Sequence, residues 1–225
     1  MAAKNRTRRS SRKTVRRKLP KQLEATQKSF FIEYKAELFT SLNQTRFVVF
    51  LCGPAIRNRR SPGAAFRRHL RKQLGKYKIE VVLGEDDGLE EIQRIIGGLN
   101  AQDNELEFAK RKCDAIVIIA ESPGSFCELG LFSWHYVHKN GELQNKTSGA
   151  SQKDFILVID KKFEGKSSYI KSGPAEAISA FGAVHYLNLK HKKTDQIINR
   201  LLQRRAARVT EKRGRPSKAK IEVVA

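Results

Sequence analysis

The sequence lacks several features that would place it in common protein classes. Its 225 residues contain no apolar run of the roughly 18 residues that a membrane-spanning helix needs. The five histidines are scattered and no CxxC pair occurs, which argues against a metal site. Cys52, Cys113 and Cys127 are odd in number and lie in or beside apolar stretches, so we expect reduced core residues in a cytoplasmic protein. The N-terminus has no apolar secretory segment, although an Arg- and Ser-rich, acid-free start also resembles organellar transit peptides.

Acidic residues are scarce at both ends of the chain. Residues 1–22 carry ten Lys or Arg and no acid, and residues 190–225 carry twelve basic and three acidic residues. The middle, 23–189, is nearly balanced, so most of the net charge of +22 belongs to the ends. Such polycationic ends are typically disordered in isolation and bind nucleic acid phosphates. A tail that only increases solubility is the alternative.

The C-terminal tail contains a short motif with a possible DNA target. Its sequence "KRGRPSK" (212–218) resembles an AT-hook core, in which arginines flank an extended backbone in the narrow minor groove of A·T-rich DNA. The alternative is a chance match, because the motif has only four residues and the tail is rich in arginine. The residues expected to contact DNA are Arg213, Gly214, Arg215 and Pro216.

The apolar stretches alternate with helical patterns. Strands are predicted at 45–52, 77–83, 114–120, 153–160 and 183–189. Helices are predicted at 19–43, 64–75, about 88–112, 125–139 and 194–209, with a short one after Gly173-Pro174. Strands that are apolar throughout are typical of burial on both faces. The pattern therefore predicts a doubly wound, Rossmann- or flavodoxin-like α/β fold, with a parallel sheet of about five strands and helices on both faces.

Glycine and acidic residues cluster immediately after the predicted strands, in "CGP" (52–54), "GEDD" (84–87), "ESPGS" (121–125) and "DKK" (160–162). Ligands of doubly wound sheets bind beyond the carboxyl ends of the strands, so these loops predict a binding site.

Glu128 can be interpreted in two ways. Ser125 and Glu128 form an S-x-x-E pattern, which predicts a capping box at the start of a helix. A carboxylate in the first helical turn would also stay ionised beside the positive end of the helix dipole. Such a carboxylate could attack a sugar carbon, with Glu121 across the bend as an acid or a hydroxyl anchor.

Two segments resemble a known enzyme family. "FVVFLCGP" (47–54) resembles the opening strand and loop of nucleoside 2-deoxyribosyltransferases, and "DAIVIIAESPGSFCELGLFS" (114–133) resembles their nucleophile segment. The order and spacing of "FLCG", "GEDDG", "ESPGSFCELGLFS" and "KSSYIKSGPAEAI" resemble most closely the deoxyribosyltransferase-like effectors of retrons. Retrons are anti-phage systems built on a reverse transcriptase and its multicopy single-stranded DNA. The resemblance covers about residues 45–190.

The resemblance implies both a domain organisation and a set of site residues. We expect a basic disordered arm (1–22), an N-terminal helix (23–44), a deoxyribosyltransferase-like domain (45–209) and a basic AT-hook-like tail (210–225). Glu128 would be the nucleophile and Asp86 the ribose anchor, although Asp86 equally suits a turn or a helix cap. "SGPAEA" would begin a helix whose free N–H groups hold a phosphate. The further residues expected to bind substrate are Gly53, Pro54, Glu85, Ser122, Gly124, Ser125, Ser172 and Gly173.

These features predict an enzyme that cleaves the N-glycosidic bond of a nucleotide or NAD-like substrate and needs no cofactor. It would act as a toxin in retron defence, with the reverse transcriptase and its DNA as partners, and would form a homo-oligomer. Two alternatives stay open: a nucleotide-sensing domain without turnover, and a DNA-binding protein that acts through its tails.

Overall fold

The predicted apolar stretches form a single parallel sheet. The computed structural model describes residues 40, 44–85, 101–137, 153–165 and 167–212, without the side chains of 210–212, and almost all of these belong to one compact unit, Ser41–Ala225. The strands are β1 (Val48–Cys52), β2 (Glu80–Leu83), β3 (Ala115–Ala120), β4 (Asp154–Asp160) and β5 (Ala183–Leu187). Their order is β2-β1-β3-β4-β5 and every neighbouring pair is parallel. The doubly wound α/β fold is therefore confirmed.

The central strands are buried on both faces, as their composition predicts. Every residue of β1 and β3 is buried, whereas most residues of the edge strands β2 and β5 are partly exposed. Because successive side chains of a strand point to opposite faces, Phe50 and Ile118 belong to one hydrophobic cluster, and Leu51 and Val117 to the other. The sheet thus separates two hydrophobic cores.

Helices cover both of these cores. They are α1 (Pro62–Lys76), α2 (Ala101–Arg111), α3 (Pro123–Val137), α4 (Glu176–Ser179) and α5 (Asp195–Lys212). On one face, Phe108 of α2 and Phe132 of α3 pack against Phe50, with ring centroids 5.2 and 5.8 Å away. On the other face, Leu70 of α1 and Leu201 of α5 are fully buried. No helix in these described ranges is long and apolar enough to cross a membrane.

Several predicted boundaries move because of capping. Helix α1 begins at Pro62 rather than 64, since the Ser61 side chain accepts a hydrogen bond from the Ala64 N–H at 2.9 Å. Strand β5 ends at Leu187 because Asn188 caps the following 3-10 turn. The predicted helix 19–43, except Thr40, lies outside the described residues. So do the first part of the predicted helix 88–112, the arm 1–22 and the tail from 213 onward.

The predicted helix start at Gly173-Pro174 is wrong. Both residues lie inside a helical stretch, in a π-helical turn that spans Lys171–Ala175 and continues into α4. The stretch begins after Ser168, whose carbonyl oxygen accepts hydrogen bonds from the N–H groups of Lys171 and Ser172 at 3.0 and 3.1 Å. Proline has no N–H for a regular helical bond, and the wider π turn accommodates it. No free helix N-terminus therefore exists at Gly173.

Carboxylates at the amino ends of β3 and β4 attach helix α5 to the sheet. Asp154 is fully buried and accepts two hydrogen bonds from Arg200, both at 2.7 Å, with Arg204 at 3.6 Å. Asp114 forms an ion pair with Arg208, two helical turns further along α5. These charges are matched at the amino edge of the sheet, the edge opposite the predicted site.

We predict that Asp154→Ala lowers the free energy of unfolding by about 3 kcal/mol, because it removes the carboxylate from a largely buried ion pair. Glu80→Ala is the control. Glu80 pairs with Arg46 at 2.7 Å, but the two side chains are 43% and 75% exposed, so the expected cost is about 0–1 kcal/mol. Urea denaturation measures both values. Equal losses would contradict the structural role of Asp154.

Candidate active site

A buried arginine organises the carboxyl end of β1. Arg67 of α1 is fully buried, and its guanidinium group donates hydrogen bonds to the carbonyl oxygens of Leu51, Gly53 and Pro54. Its Nη1 also lies 2.7 Å from Oε1 of Glu85, in the loop after β2. Arg67 therefore joins the loops that follow the two neighbouring strands. The sequence analysis missed this residue, although its position on the apolar stripe of α1 was a signal for burial.

Gly53 lies at the point where the strand order reverses, between β1 and β3. Its φ of 144° is in the region that favours glycine, and an added Cβ would lie 3.1 Å from the Cβ and the carbonyl oxygen of Ile119. The Gly53 backbone amide also forms a hydrogen bond that lowers the pKa of Glu128. The predicted residues Gly53, Glu85 and Glu128 are thus brought together.

The Glu128 carboxyl group lies in the second turn of α3, not the first. Its Oε2 is buried and has no hydrogen-bond partner among the described residues. Burial, followed by the negative charge of Glu105 and then of Glu85, raises its pKa to about 8, although Arg67 and the Gly53 amide oppose this. The expectation that the helix dipole keeps this carboxylate ionised is therefore wrong for the protein without a ligand.

The capping box is formed by Ser122 and Ser125 rather than by Ser125 and Glu128. The Oγ of Ser125 accepts a hydrogen bond from the Ser122 N–H at 2.8 Å, and the Oγ of Ser122 accepts one from the Ser125 N–H at 3.3 Å. Pro123 then occupies the first helical position. Because the cap is complete one turn earlier than predicted, the Glu128 side chain is not used for capping.

Glu121 supports a different helix. Its Oε2 accepts hydrogen bonds from the Ser61 hydroxyl and from the Gly63 N–H, the latter at 2.9 Å. These donors form the N-terminus of α1, where a carboxylate is favourable. Pro54 lies beside the same turn, since a Cβ on Gly63 would be 3.1 Å from its ring. The structure gives Glu121 a capping role, and its predicted catalytic role stays a prediction.

Glu105 of α2, like Arg67, was not predicted from the sequence as a residue of the site. A Cβ on Gly84 would lie 2.4 Å from Oε1 of Glu105 and 3.8 Å from Oε1 of Glu128. Burial raises the pKa of Glu105, and so does the charge of Glu85, while Arg67 lowers it. The stretch around residue 105 carries several charges, so nothing in its pattern distinguished this side chain.

Glu128 does not line any of the following three cavities among the described residues. One of 510 Å³ includes Ser172 and Lys171, and one of 400 Å³ includes Ser172 and Gly173. A third, of 420 Å³, lies between Arg57, Arg71 and Glu85. Of these, only the third includes a residue that acts electrostatically on Glu128. Ser172 and Gly173 line cavities of their own, so their predicted substrate contacts stay predictions.

The remaining predicted residues divide into two groups. Asp86, Arg213, Gly214, Arg215 and Pro216 lie outside the described residues. Gly124 is exposed, and an added Cβ there would meet nothing within 4 Å, so packing does not require a glycine.

The cysteines are free, and Cys52 and Cys113 are buried as expected. Cys127 is exposed, so its assignment to the core is wrong. The buried face of α3 includes Ser125 and Leu129, and Cys127 lies between them on the other side of the helix. The described ranges contain no group of three or more His, Cys, Asp or Glu that could hold a metal ion.

Comparison with known proteins gives two findings. The sequence model of a family described as "STM3845 retron effector protein" matches residues 63–223. A curated protein of Escherichia coli, named "Retron Ec86 putative ribosyltransferase/DNA-binding protein", is 30% identical over 140 residues, which is 61% of this chain. The match covers 39% of that protein, so the chain spans well under half of its length.

We predict that the stability of the protein falls as the pH rises through neutrality, because of Glu128. Its pKa is about 8 in the folded chain against an ordinary value of 4.5, so between these values the folded state holds a proton that the unfolded state has lost. The free energy of unfolding then decreases with pH, by at most about 1.4 kcal/mol per unit.

Glu128→Gln has no proton to lose, so its free energy of unfolding should lack this part of the slope. Urea denaturation at about pH 5.5, 6.5 and 7.5 compares the two proteins. Parallel pH profiles would show that Glu128 titrates normally.

Proposed function

Because the chain belongs to the STM3845 retron effector protein family, we propose that this retron effector is an enzyme that cleaves an N-glycosidic bond through Glu128. The substrate would be a nucleotide or an NAD-like dinucleotide. The name of the Escherichia coli relative includes ribosyltransferase, which supports chemistry at a ribose carbon. Water or another acceptor would complete the reaction.

One observation carries this proposal. A partly buried carboxyl group with an unpartnered oxygen lies at the switch point of a doubly wound sheet, beside the Gly53 amide and two further carboxylates. Ligands of such sheets bind at this point. Leaving a buried carboxyl oxygen without a partner costs stability, which is typical of groups that await a ligand.

The proposed reaction has two steps. In its ionised form, Glu128 attacks the anomeric carbon, and the electron pair of the C–N bond leaves with the base. This gives an ester between the sugar and Glu128. Water or an acceptor then attacks the same carbon and releases the carboxylate, as in retaining glycosidases. Asp86 would anchor a ribose hydroxyl.

The electrostatics of the site favour a substrate with a positively charged sugar in the transition state. Glu85 and Glu105 both raise the pKa of Glu128, and Glu85 also raises that of Glu105, while the Arg67 donors are committed to carbonyl oxygens and to Glu85. An oxocarbenium-like sugar would compensate the negative charge that accumulates there. The same charge would disfavour a phosphate directly at Glu128.

The ends of the chain fit a separate role in binding. The relative's name also includes DNA-binding, and residues 1–22 and 190–225 carry most of the net positive charge. We therefore propose that the ends bind nucleic acid, with the retron reverse transcriptase and its single-stranded DNA as partners. Release from these partners would give the enzyme a toxin-like activity in anti-phage defence.

A nucleotide-sensing role is the second candidate. It is favoured by the pKa of Glu128, because a carboxyl group that is mostly protonated at neutral pH can bind a ligand without attacking it. Under this function, nucleotide raises the melting temperature while no free base accumulates. The enzyme function instead requires that free base accumulates when nucleotide is bound.

We predict that the purified protein releases free base from NAD or from a deoxynucleotide, and that Glu128→Gln lowers this rate by at least about a thousandfold, since an amide cannot act as the nucleophile. Chromatography of the released base measures the rate. Glu107→Gln is the control. Glu107 is on α2 and forms surface ion pairs with Lys110 and Arg111, so its rate should be unchanged. Full activity of Glu128→Gln would refute the assigned role.

We also predict that deletion of residues 1–22 and 213–225 leaves base release intact and abolishes salt-sensitive DNA binding, because the removed charges neutralise phosphates. Fluorescence anisotropy with a labelled oligonucleotide at two salt concentrations measures the binding. Loss of base release in the shortened protein would instead favour a function that depends on the tails.

A further inference from the structure

We propose that Glu105 shares one proton with Glu128, and that this sharing decides when Glu128 is an ionised nucleophile. This inference rests on the proposed function, because it concerns the same carboxyl group. Glu105 would act through Glu128 as a positioning residue and would not contact the substrate.

The geometry places the two carboxyl groups around a single glycine. Oε1 of Glu105 and Oε1 of Glu128 lie 2.4 and 3.8 Å from the position that a Cβ of Gly84 would occupy. Any larger residue at 84 would displace the carboxyl group of Glu105. The missing side chain therefore leaves the space in which the carboxyl groups of α2 and α3 approach each other.

The charges of this group are unequally compensated. Glu85 forms an ion pair with Arg67 at 2.7 Å and accepts a hydrogen bond from the Ile56 N–H at 3.0 Å. Within the described ranges, by contrast, neither Glu105 nor Glu128 forms an ion pair with a Lys or Arg side chain. Two neighbouring carboxylates without a cation cannot both ionise easily, so one proton between them is the favourable state.

Among the described residues, the charged and titratable groups that act on Glu128 come from four elements. Glu105 of α2 and Glu85 after β2 raise its pKa, while Arg67 of α1 lowers it. The Cys52 thiol of β1 is fully buried, and its own pKa is raised by burial and by both Glu128 and Glu105, so it stays neutral. Of the charged side chains that the structure describes around Glu128, Arg67 is the one that opposes the shared proton.

The proton balance of the proposed reaction is then simple. Binding of the substrate shifts the proton from the Glu128 carboxyl group to the Glu105 carboxylate, which leaves the charge of the pair unchanged. Ionised Glu128 forms the ester while the base departs with the electron pair of the C–N bond. The base of an uncharged nucleotide leaves as an anion and takes a proton from water, whereas nicotinamide leaves NAD already neutral. In both cases Glu105 then releases its proton to solvent. Hydrolysis of the ester adds the hydroxyl group of water to the sugar and its proton to Glu128.

The test is the titration of Glu128 in a Glu105→Gln variant, followed by NMR of protein labelled with carboxyl-¹³C glutamate. The Glu128 signal is assigned by its disappearance in Glu128→Gln. In the unsubstituted protein it should titrate near pH 8. In Glu105→Gln the loss of the neighbouring charge should lower the midpoint by about one pH unit or more. The rising limb of the pH–rate profile should move by the same amount.

Two control variants separate charge from packing. Glu105→Asp keeps the carboxylate and should titrate closer to the unsubstituted protein than Glu105→Gln does. Glu107→Gln removes a carboxylate two residues away on the same helix, whose ion pairs are with Lys110 and Arg111. It should leave the midpoint unchanged.

An unchanged Glu128 midpoint in Glu105→Gln would overturn the proposal, and so would an equal shift in Glu107→Gln. The NMR titration needs no turnover. A shifted midpoint in a protein that releases no base from NAD or deoxynucleotides would therefore support proton sharing while refuting the proposed enzyme function.

Discussion

The candidate site depends on the hydrogen bonds and the ion pair that the buried guanidinium group of Arg67 forms. Transfer of a cation into a protein interior costs several kcal/mol unless every donor finds an acceptor. Here the acceptors are the carbonyl oxygens of Leu51, Gly53 and Pro54 and the carboxylate of Glu85. By satisfying its own donors, Arg67 fixes the loop after β1 and the loop after β2 relative to each other. The Gly53 amide is thereby held beside Glu128.

The carboxylates at the amino and carboxyl edges of the sheet differ in their ion pairs. At the amino edge, Asp114 and Asp154 are matched by arginines of α5, so burial of these charges stabilises the docking of that helix. At the carboxyl edge, Glu85 is paired with Arg67, whereas Glu105 and Glu128, both close to Gly84, form no ion pair with a Lys or Arg side chain among the described residues. A fold selected only for stability would not retain such a pair, because replacing it with apolar residues removes a desolvation cost. We therefore place the proposed reaction at the carboxyl edge, beside these two unpaired carboxyl groups.

The sheet was predictable from the sequence because each central strand is apolar on both faces and too short to be a helix. The alternation of helices and strands then allowed few sheet topologies. Local capping was less predictable. Ser122 and Ser125 both suit the N-cap position of a helix. Only the structure shows that Pro123 is the first helical residue. Gly173-Pro174 has the composition of a helix start, yet Ser168 begins the turn earlier.

The site was predictable only in part, for a physical reason. Gly53, Glu85 and Glu128 follow strand ends, so a rule about sheet edges finds them. Arg67 and Glu105 lie within helices, and their contacts arise from how those helices pack on the sheet. A pattern of spacing can indicate that Arg67 is buried, but not which carbonyl groups it binds. The raised pKa of Glu128 is caused first by burial and then by the charge of Glu105. Both depend on how the helices pack, which is why the ionised state predicted from the sequence was wrong.

The charge distribution fits the two proposed tasks of the chain. The near-neutral middle of the sequence contains the carboxylates, and the ends contain the excess of arginine and lysine. Counterion release from nucleic acid needs many exposed cations and little geometry, whereas attack at a sugar carbon needs one carboxylate held in place with a defined charge. With a pKa of about 8, only about a tenth of Glu128 is ionised at pH 7. If Glu128 is the nucleophile, as we propose, the resting site is mostly inactive by its own electrostatics, and a bound substrate that develops positive charge would shift the proton and start the reaction.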